Sequence, residues 1–130
     1  MRFMMIMIPE VYNKPIPPDW MPDPEELKKM GRYNDELRKA GVLLTLDGLT
    51  PPSAGARVSF KGGKPKVTDG PFTESKEVIG GFWMIQVKSQ EEAIEWAKRC
   101  PAEPGDVIEI RRVPEPEEFG PELARNWARD

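Results

Sequence analysis

Apolar residues occur along this chain in short runs and helical stripes, and the order of these segments predicts the fold. Residues 3 to 8 are apolar on both alternating sets of positions, which is typical of a strand covered on both faces. Residues 82 to 87 repeat that pattern, whereas the predicted strands at 42 to 49 and 107 to 113 also carry polar side chains. The first pair is therefore expected at the centre of a sheet and the second pair at its edges.

A helix is predicted after the first of these strands, because apolar residues recur there at helical spacing. Asp23 is expected to cap the first helix and Pro24 to occupy its first position, since both are favoured there. Leu27 and Met30 begin an apolar stripe that continues towards residue 40, and Gly41 is a typical residue after a helix end. This stripe is expected to pack on the sheet.

A second helix is predicted between residues 89 and 100. Ser89 is its expected N-cap, with Glu92 placed three residues later for a capping box, and Pro101 ends it. Ala93 and Cys100 lie on its apolar stripe. On that stripe Cys100 is expected to be a buried small residue rather than a reactive thiol.

A hairpin is predicted between the second and third main strands, where residues 57–61 and 64–68 flank a Gly62-Gly63 turn. Pro65 cannot donate to a strand ladder, so the hairpin is expected to project from the sheet or to lie at its edge. The whole order predicts an α+β, ferredoxin-like split βαβ fold with an inserted β-hairpin. One domain is expected over residues 1–113, followed by a partly helical C-terminal tail, 114–130.

Composition excludes several classes of chemistry. The 130 residues include no histidine and one cysteine, which excludes Ser-His-Asp and Cys-His catalysis, imidazole metal ligation and a disulfide framework. We therefore expect neither a metal site nor a cofactor. A net charge of −3 without a clustered basic face gives no reason to expect nucleic acid. The apolar run near the N-terminus is too short for a membrane span, so a cytoplasmic protein with no membrane partner is expected.

The connection from residue 9 to residue 23 is unusually long for a compact domain and contains five prolines, Tyr12 and Trp20. Such loops are often functional. One interpretation is a lid in which Tyr12 or Trp20 closes over a ligand. The other is a proline-stiffened crossover in which Trp20 only fills the edge of the core. The sequence does not decide between them.

The densest local signal runs from residue 69 to residue 83. Asp69, Gly70 and Pro71 are residues typical of a tight turn. The pair Gly80-Gly81 begins the apolar third strand, and such a pair indicates that another group approaches the backbone closely or that the sheet bends there. This run, DGPFTESKEVIGGFW, resembles the signature of the YCII-related superfamily in its DGPF-domain branch. The order of elements resembles that family over residues 2 to 113.

The resemblance implies a dimeric α/β barrel. The sequence supports the same assembly, because one sheet face keeps Met, Phe and Trp side chains that no local element covers. We expect a homodimer that buries this face.

The resemblance also implies three alternatives for function. Some family members act as lyase- or isomerase-like enzymes on small ring acids through a His–Asp pair, whose histidine this chain lacks. The leading hypothesis is a cleft near the DGPF loop that binds a small organic acid. The second is a non-catalytic regulatory or protein-binding module linked to sigma-factor signalling, and the third is a structural dimer whose cleft is only a packing defect.

Candidate site residues follow from the motif and from its neighbours. Two carboxylates in a partly apolar cleft could separate their pKa values and act as acid and base, and the candidates are Asp69 and Glu77. An aspartate in an Asp-Gly-Pro turn, such as Asp69, is more often a turn-forming residue than a catalytic one. The candidate ligand-binding residues are Tyr12, Trp20, Tyr33, Asp47, Gly70, Pro71, Phe72, Lys76, Gly80 and Gly81.

Overall fold

Four strands form an antiparallel sheet in the order β2-β5-β1-β6, and two helices lie between them in the chain. The structure is a computed structural model that describes residues 1–70 and 78–126. Its elements are β1 (Arg2–Ile8), α1 (Pro24–Lys39), β2 (Leu43–Gly48), β3 (Ala56–Ser59), β4 (Lys66–Asp69), β5 (Gly81–Gln86), α2 (Gln90–Lys98), β6 (Val107–Val113) and α3 (Pro121–Asn126). The α+β prediction is confirmed, and the central and edge strands are those that the apolar pattern predicted. This order is compatible with a ferredoxin-like fold.

The hydrophobic core lies on the helix-bearing face of the sheet. Met5 of β1 stands opposite Trp83 of β5, and both belong to one buried cluster with Leu37 of α1 and Ala93 of α2. Alternate residues of a strand point to opposite faces, so each central strand contributes every second side chain to this core. The buried residues of the cluster are Phe3, Met5, Met7, Tyr33, Leu37, Trp83, Ile85, Val87 and Ala93.

The opposite face of the sheet is apolar at its centre but only half-buried. In register across the two central strands, Met4 faces Met84 and Ile6 faces Phe82, and all four side chains keep intermediate exposure. Val107 of β6, which pairs with Ile8, is 52% exposed. We call this surface, formed by Met4, Ile6, Ile8, Phe82, Met84 and Val107, the open sheet face.

Both helices begin with the caps that the sequence predicted. The carboxylate of Asp23 accepts a hydrogen bond from the N–H of Glu25 at 2.8 Å. The hydroxyl of Ser89 accepts one from the N–H of Glu92, and the carboxylate of Glu92 reaches back to the N–H of Lys88 at 2.9 Å. None of the helices in residues 1–70 and 78–126 is long and apolar enough to cross a bilayer.

The inserted hairpin is confirmed, but its predicted two-residue turn is wrong. β3 and β4 form a separate two-stranded sheet whose last pair is Ser59 with Lys66, which leaves residues 60–65 in the loop. A short 3-10 segment over Lys61–Gly63 makes the turn. Pro65 has no N–H to donate, so the ladder ends before it and the loop widens.

Beyond β6 the chain is held to the sheet by charged side chains. The guanidinium of Arg2 forms two hydrogen bonds to the carboxylate of Glu115, at 2.8 and 3.2 Å, and Arg112 forms two to Glu118, both at 2.8 Å. The Arg112 bonds, with the backbone N–H of Glu115, lower the pKa of Glu118 to about 2. A 3-10 turn, Pro116–Phe119, and α3 follow.

The glycine pair at the start of β5 marks a close approach of chain segments. A Cβ at Gly80 would lie 2.6 Å from Cγ of Pro9, and one at Gly81 would lie 2.9 Å from the carbonyl oxygen of Asp47. Real Cβ atoms essentially never approach a neighbour to under 3.0 Å. The expectation that something approaches this backbone closely is therefore confirmed.

We predict that Gly81→Ala destabilises the fold by about 1–3 kcal/mol, the usual cost of forcing extra volume into a packed region. Its neighbour is the backbone of an adjacent strand, which cannot rotate away. The control is Gly31→Ala in α1, where a Cβ has no neighbour within 4 Å. That change should stabilise by about 0.5–1 kcal/mol because alanine favours a helix. Urea unfolding of both variants measures the difference, and equal effects would contradict the steric explanation.

Candidate functional site

A cavity of about 550 Å³ lies on the helix-bearing side, where the ends of β2 and β5 meet the long loop after β1. Its floor is apolar and is formed in part by Met7, Leu46, Gly81 and Trp83. These residues belong to three neighbouring strands, because β1, β5 and β2 are adjacent in the sheet. The cavity is therefore built on three adjacent strands of the sheet.

One wall of the cavity comes from the loop over residues 9–23. A 3-10 turn, Glu10–Asn13, buries Tyr12, whose hydroxyl donates a hydrogen bond to the carbonyl of Leu49 at 2.8 Å. Trp20 packs edge-on against the Tyr12 ring, with centroids 5.7 Å apart. The carbonyl of Ile16 accepts a further bond from the hydroxyl of Ser53 at 2.9 Å. The loop is thus anchored to the segment after β2, and its two aromatic rings line the cavity.

The facing wall comes from one side of α1. Glu26, Leu27, Met30 and Asn34 line the cavity, and their spacing places them along one helix face. The amide oxygen of Asn34 accepts a 2.8 Å hydrogen bond from the indole N–H of Trp83, which fixes that ring in the floor. Leu27 is 48% exposed. The sequence placed Leu27 in the core stripe, and it instead lies at the cavity.

The connection between α2 and β6 closes one end of the cavity. The carboxylate of Asp106 accepts hydrogen bonds from the N–H of Glu10 and from the N–H of Glu103, both at 2.9 Å. This single side chain joins the loop after β1 to the loop before β6. A Cβ on Gly105 would overlap the carboxylate of Glu10, so the glycine allows that side chain to lie against the turn.

Five of the candidate ligand-binding residues line this one cavity: Tyr12, Trp20, Asp47, Gly80 and Gly81. Asp47 pairs with Phe82 in the ladder, next to the pair of Leu46 with Trp83. Since Trp83 faces α1, strand alternation places the side chains of Asp47 and Phe82 on the open sheet face. Asp47 therefore reaches the cavity only at the sheet edge.

Tyr33 lies behind the cavity and does not line it. Its ring packs edge-on against Trp83, with centroids 5.7 Å apart, and its hydroxyl donates to the carbonyl of Trp96 at 2.7 Å. Burial raises the pKa of the Tyr33 phenol well above its usual range. These contacts give Tyr33 a clear packing role beneath the floor of the cavity.

Asp69 and Gly70 lie at the end of β4 and outside the cavity lining that the described residues form. Asp69 is exposed and pairs with Ala56 in the hairpin ladder. The N–H of Gly70 donates to the carbonyl of Gly55 at 2.9 Å. The other candidates from the motif, Pro71, Phe72, Lys76 and Glu77, lie outside the described residues, so the proposed meeting of Asp69 with Glu77 stays a prediction.

Cys100 packs at the margin of the core beneath α2, as the helical stripe predicted. Burial, with a smaller contribution from the charge of Asp106, raises the pKa of its thiol to about 12. A thiol with so high a pKa is almost entirely protonated at neutral pH and is a poor nucleophile. The thiol has the character of a packing residue.

Sequence reasoning missed the charged end of the cavity, including Glu10, Lys14, Glu103 and Asp106. These residues stand in loops, where no periodicity marks a face. For Glu10 and Lys14 the one available signal was the length of the first loop, and Glu103 and Asp106 gave none. The α1 residues did give a signal in the sequence. Leu27 and Asn34 are seven positions apart and so lie on one helix face, which therefore carries an apolar and a polar side chain together.

We predict that Tyr12→Phe lowers the free energy of unfolding by about 1 kcal/mol, because the carbonyl of Leu49 loses its hydrogen-bond donor. Tyr12→Ala should cost about 3–5 kcal/mol, since it also removes the ring that packs on Trp20. Chemical denaturation of the two variants separates the hydroxyl from the ring. Equal losses would show that the hydrogen bond, and not the ring, holds the loop.

Comparison with known proteins assigns the family. The sequence matches the family model described as the YCII-related domain over residues 1–117. An uncharacterised protein of Rhizobium meliloti (strain 1021) is 31% identical over 81 residues, which make up 61% of this chain and 65% of that relative. The matched region thus spans slightly less than two thirds of the relative's length. On the family match, which covers most of its length, this chain belongs to the YCII-related family.

Proposed function

We propose that this protein binds a small organic molecule in the cavity between α1 and the loop over residues 9–23. The single observation that carries the proposal is the cavity itself. Its volume of about 550 Å³ falls within the roughly 300–1,000 Å³ of typical ligand pockets. Aromatic and aliphatic walls with a few polar groups at one end are the usual composition of such sites.

The resemblance favours a small organic acid as ligand and a lyase- or isomerase-like reaction. The reaction stays a proposal that depends on Asp69 and Glu77. In the cavity wall, burial raises the pKa of the Tyr12 phenol, and its hydroxyl is already used in the hydrogen bond to the carbonyl of Leu49. The chain also has no histidine. These properties support binding more directly than they support turnover.

The proposed assembly is a homodimer that forms a dimeric α/β barrel through the open sheet face. Support comes from the apolar residues there, which are adjacent across the two central strands and only half-buried, as in surfaces that bind a partner. The sequence motif Asp-Gly-Pro-Phe at residues 69–72 supports membership of the DGPF branch. The proposed domain comprises residues 1–113, and residues 114–130 form a C-terminal tail. A cytoplasmic location stays a prediction of the sequence.

A second candidate function is a protein-binding regulatory module. The hairpin favours it, because Val58, Phe60 and Val67 are 54%, 67% and 66% exposed. Exposed apolar side chains on a projecting hairpin are typical of interaction surfaces. A link to sigma-factor signalling is implied by the resemblance only. Loss of partner capture in Phe60→Ser, with ligand binding unchanged, would support this candidate.

The test of ligand binding is a thermal-shift screen with a mixed library of small acids, amines and neutral compounds. A ligand at a hundredfold excess over Kd should stabilise the native state by about 2.7 kcal/mol. Leu27→Trp places a large ring at the cavity and should abolish the shift. Lys29→Trp is the control, since that residue is exposed on the same helix and does not line the cavity.

The variant Asp69→Asn distinguishes the cavity from a site at the DGPF turn. A ligand in the cavity should stabilise Asp69→Asn as much as wild type, whereas a ligand held by the Asp69 carboxylate should not. The cavity proposal fails if no compound shifts wild type, or if Leu27→Trp responds as fully as Lys29→Trp.

We predict that wild type is a dimer at micromolar concentration by light scattering, because burial of the open sheet face is favourable. Obligate interfaces of this kind bury about 2,000 Å² or more. Met84→Lys places a charge in the centre of that face and should give monomers. Gln86→Lys, an exposed position at the end of the same face, is the control and should remain dimeric. A wild-type monomer would exclude this assembly whatever the variants do.

A further inference from the structure

We propose that the ligand of the cavity is an organic cation, a protonated amine carried on an apolar or aromatic body. The inference rests on the proposed function, because it names the ligand class of the same cavity. It departs from the small organic acid that the family resemblance implies. Three properties of the cavity support it: the sign of its charge, the lack of ion-pair partners for its acidic groups, and its aromatic wall.

The lining of the cavity is strongly acidic. Among its described residues, Lys14 is the one basic side chain, whereas Glu10, Glu26, Glu103 and Asp106 are acidic. Asp47, whose side chain lies on the open sheet face, is left out of this comparison. Opposite charges favour each other in a cavity with apolar walls, and like charges are costly there. An anionic ligand would therefore meet three more negative than positive groups.

The acidic groups at the cavity are also not neutralised by ion pairs within the described residues. In the described part of the chain the ion pairs involve other residues, such as Glu36 with Arg99 and Glu115 with Arg2. No ion pair there includes Glu10, Glu26 or Glu103. The carboxylate of Asp106 is used structurally, since it accepts the N–H groups of Glu10 and Glu103. That bonding brings Glu10 and Glu103 to the same end of the cavity.

The aromatic wall distinguishes an organic cation from a metal ion. Tyr12 and Trp20 pack edge-to-face, with an interplanar angle of 76°, and both line the cavity. The face of an aromatic ring attracts ammonium groups, most strongly when water is excluded. As far as the described residues go, no three acidic or sulfur side chains converge as the ligands of a metal ion would. The amine would lie near the acidic end, and its apolar body would contact the rings.

Groups that could hold a carboxylate ligand are few. Lys14 is exposed. The N-terminus of α1 already receives the carboxylate of Asp23, which accepts the N–H of Glu25. Burying a carboxylate without a paired cation is strongly unfavourable. The cavity therefore fits an amine better than an acid of the same size.

The test compares three compounds with one body and different charge: 2-phenylethylamine, 2-phenylethanol and phenylacetate. Calorimetric titration of the full-length protein at neutral pH should give the lowest Kd for the amine, by about tenfold over the alcohol, since that ratio is typical of a favourable charge contact in a partly desolvated site. Phenylacetate should bind most weakly. The preference for the amine should decrease at high salt.

Variants assign the preference to the cavity. Glu10→Gln and Glu103→Gln should each raise the Kd of the amine by about three- to tenfold and leave that of the alcohol unchanged, as expected when one charge contact is removed. Glu91→Gln, an exposed position on α2 outside the cavity, is the matched control and should behave as wild type. Lys14→Gln should strengthen amine binding.

The outcomes separate this inference from the proposed function. If phenylacetate binds more tightly than the amine, or the alcohol equally well, the amine assignment is wrong and the cavity remains a small-molecule site. Displacement of the amine by millimolar Mg²⁺ or Ca²⁺ would assign the acidic groups to a metal and also overturn it. If none of the three compounds binds and the library screen is negative, the proposed function fails together with this inference.

Discussion

The contact of the Gly80 backbone with the loop after β1 is the constraint on which the cavity depends. The N–H of Gly80 donates to the carbonyl of Met7 at 2.8 Å, and its carbonyl accepts from the N–H of Leu49 at 2.9 Å. One residue thereby ties the ends of β1 and β2 to the start of β5. Pro9 and Tyr12 occupy the space that a side chain would fill. A larger residue there would push the loop, and with it the aromatic wall, away from the floor.

Much of the fold could be predicted because its signals are local. The central strands β1 and β5 are apolar on both faces, and the caps Asp23 and Ser89 are chemically specific. The turn of the hairpin was predicted wrongly for a local reason also. Gly62-Gly63 is a strong two-residue turn signal, but Pro65 ends the ladder early and allows the 3-10 segment to form the turn instead.

The cavity could be predicted only in part, because segments far apart in the chain meet there. The aromatic loop and the glycine pair gave signals, and those residues do line the cavity. Glu103 and Asp106 gave none, since Asp106 is held by a hydrogen bond from the N–H of Glu10, far earlier in the chain, and Glu103 donates its own N–H to Asp106. A periodicity reports which side of one element is buried. It does not report which loops lie next to each other once the sheet has formed.

Strand β5 explains why the charged groups of the cavity lie outside the sheet. Trp83 points to the helices and is held by Asn34, whereas its neighbours Phe82 and Met84 point to the open sheet face. Along the middle of such a strand, where one face lies in the core and the other is apolar, an unpaired charge would be unfavourable. Selectivity for a ligand's charge must then come from outside the sheet. The loops at residues 10 and 101–106 supply it, and Asp106 holds the two together.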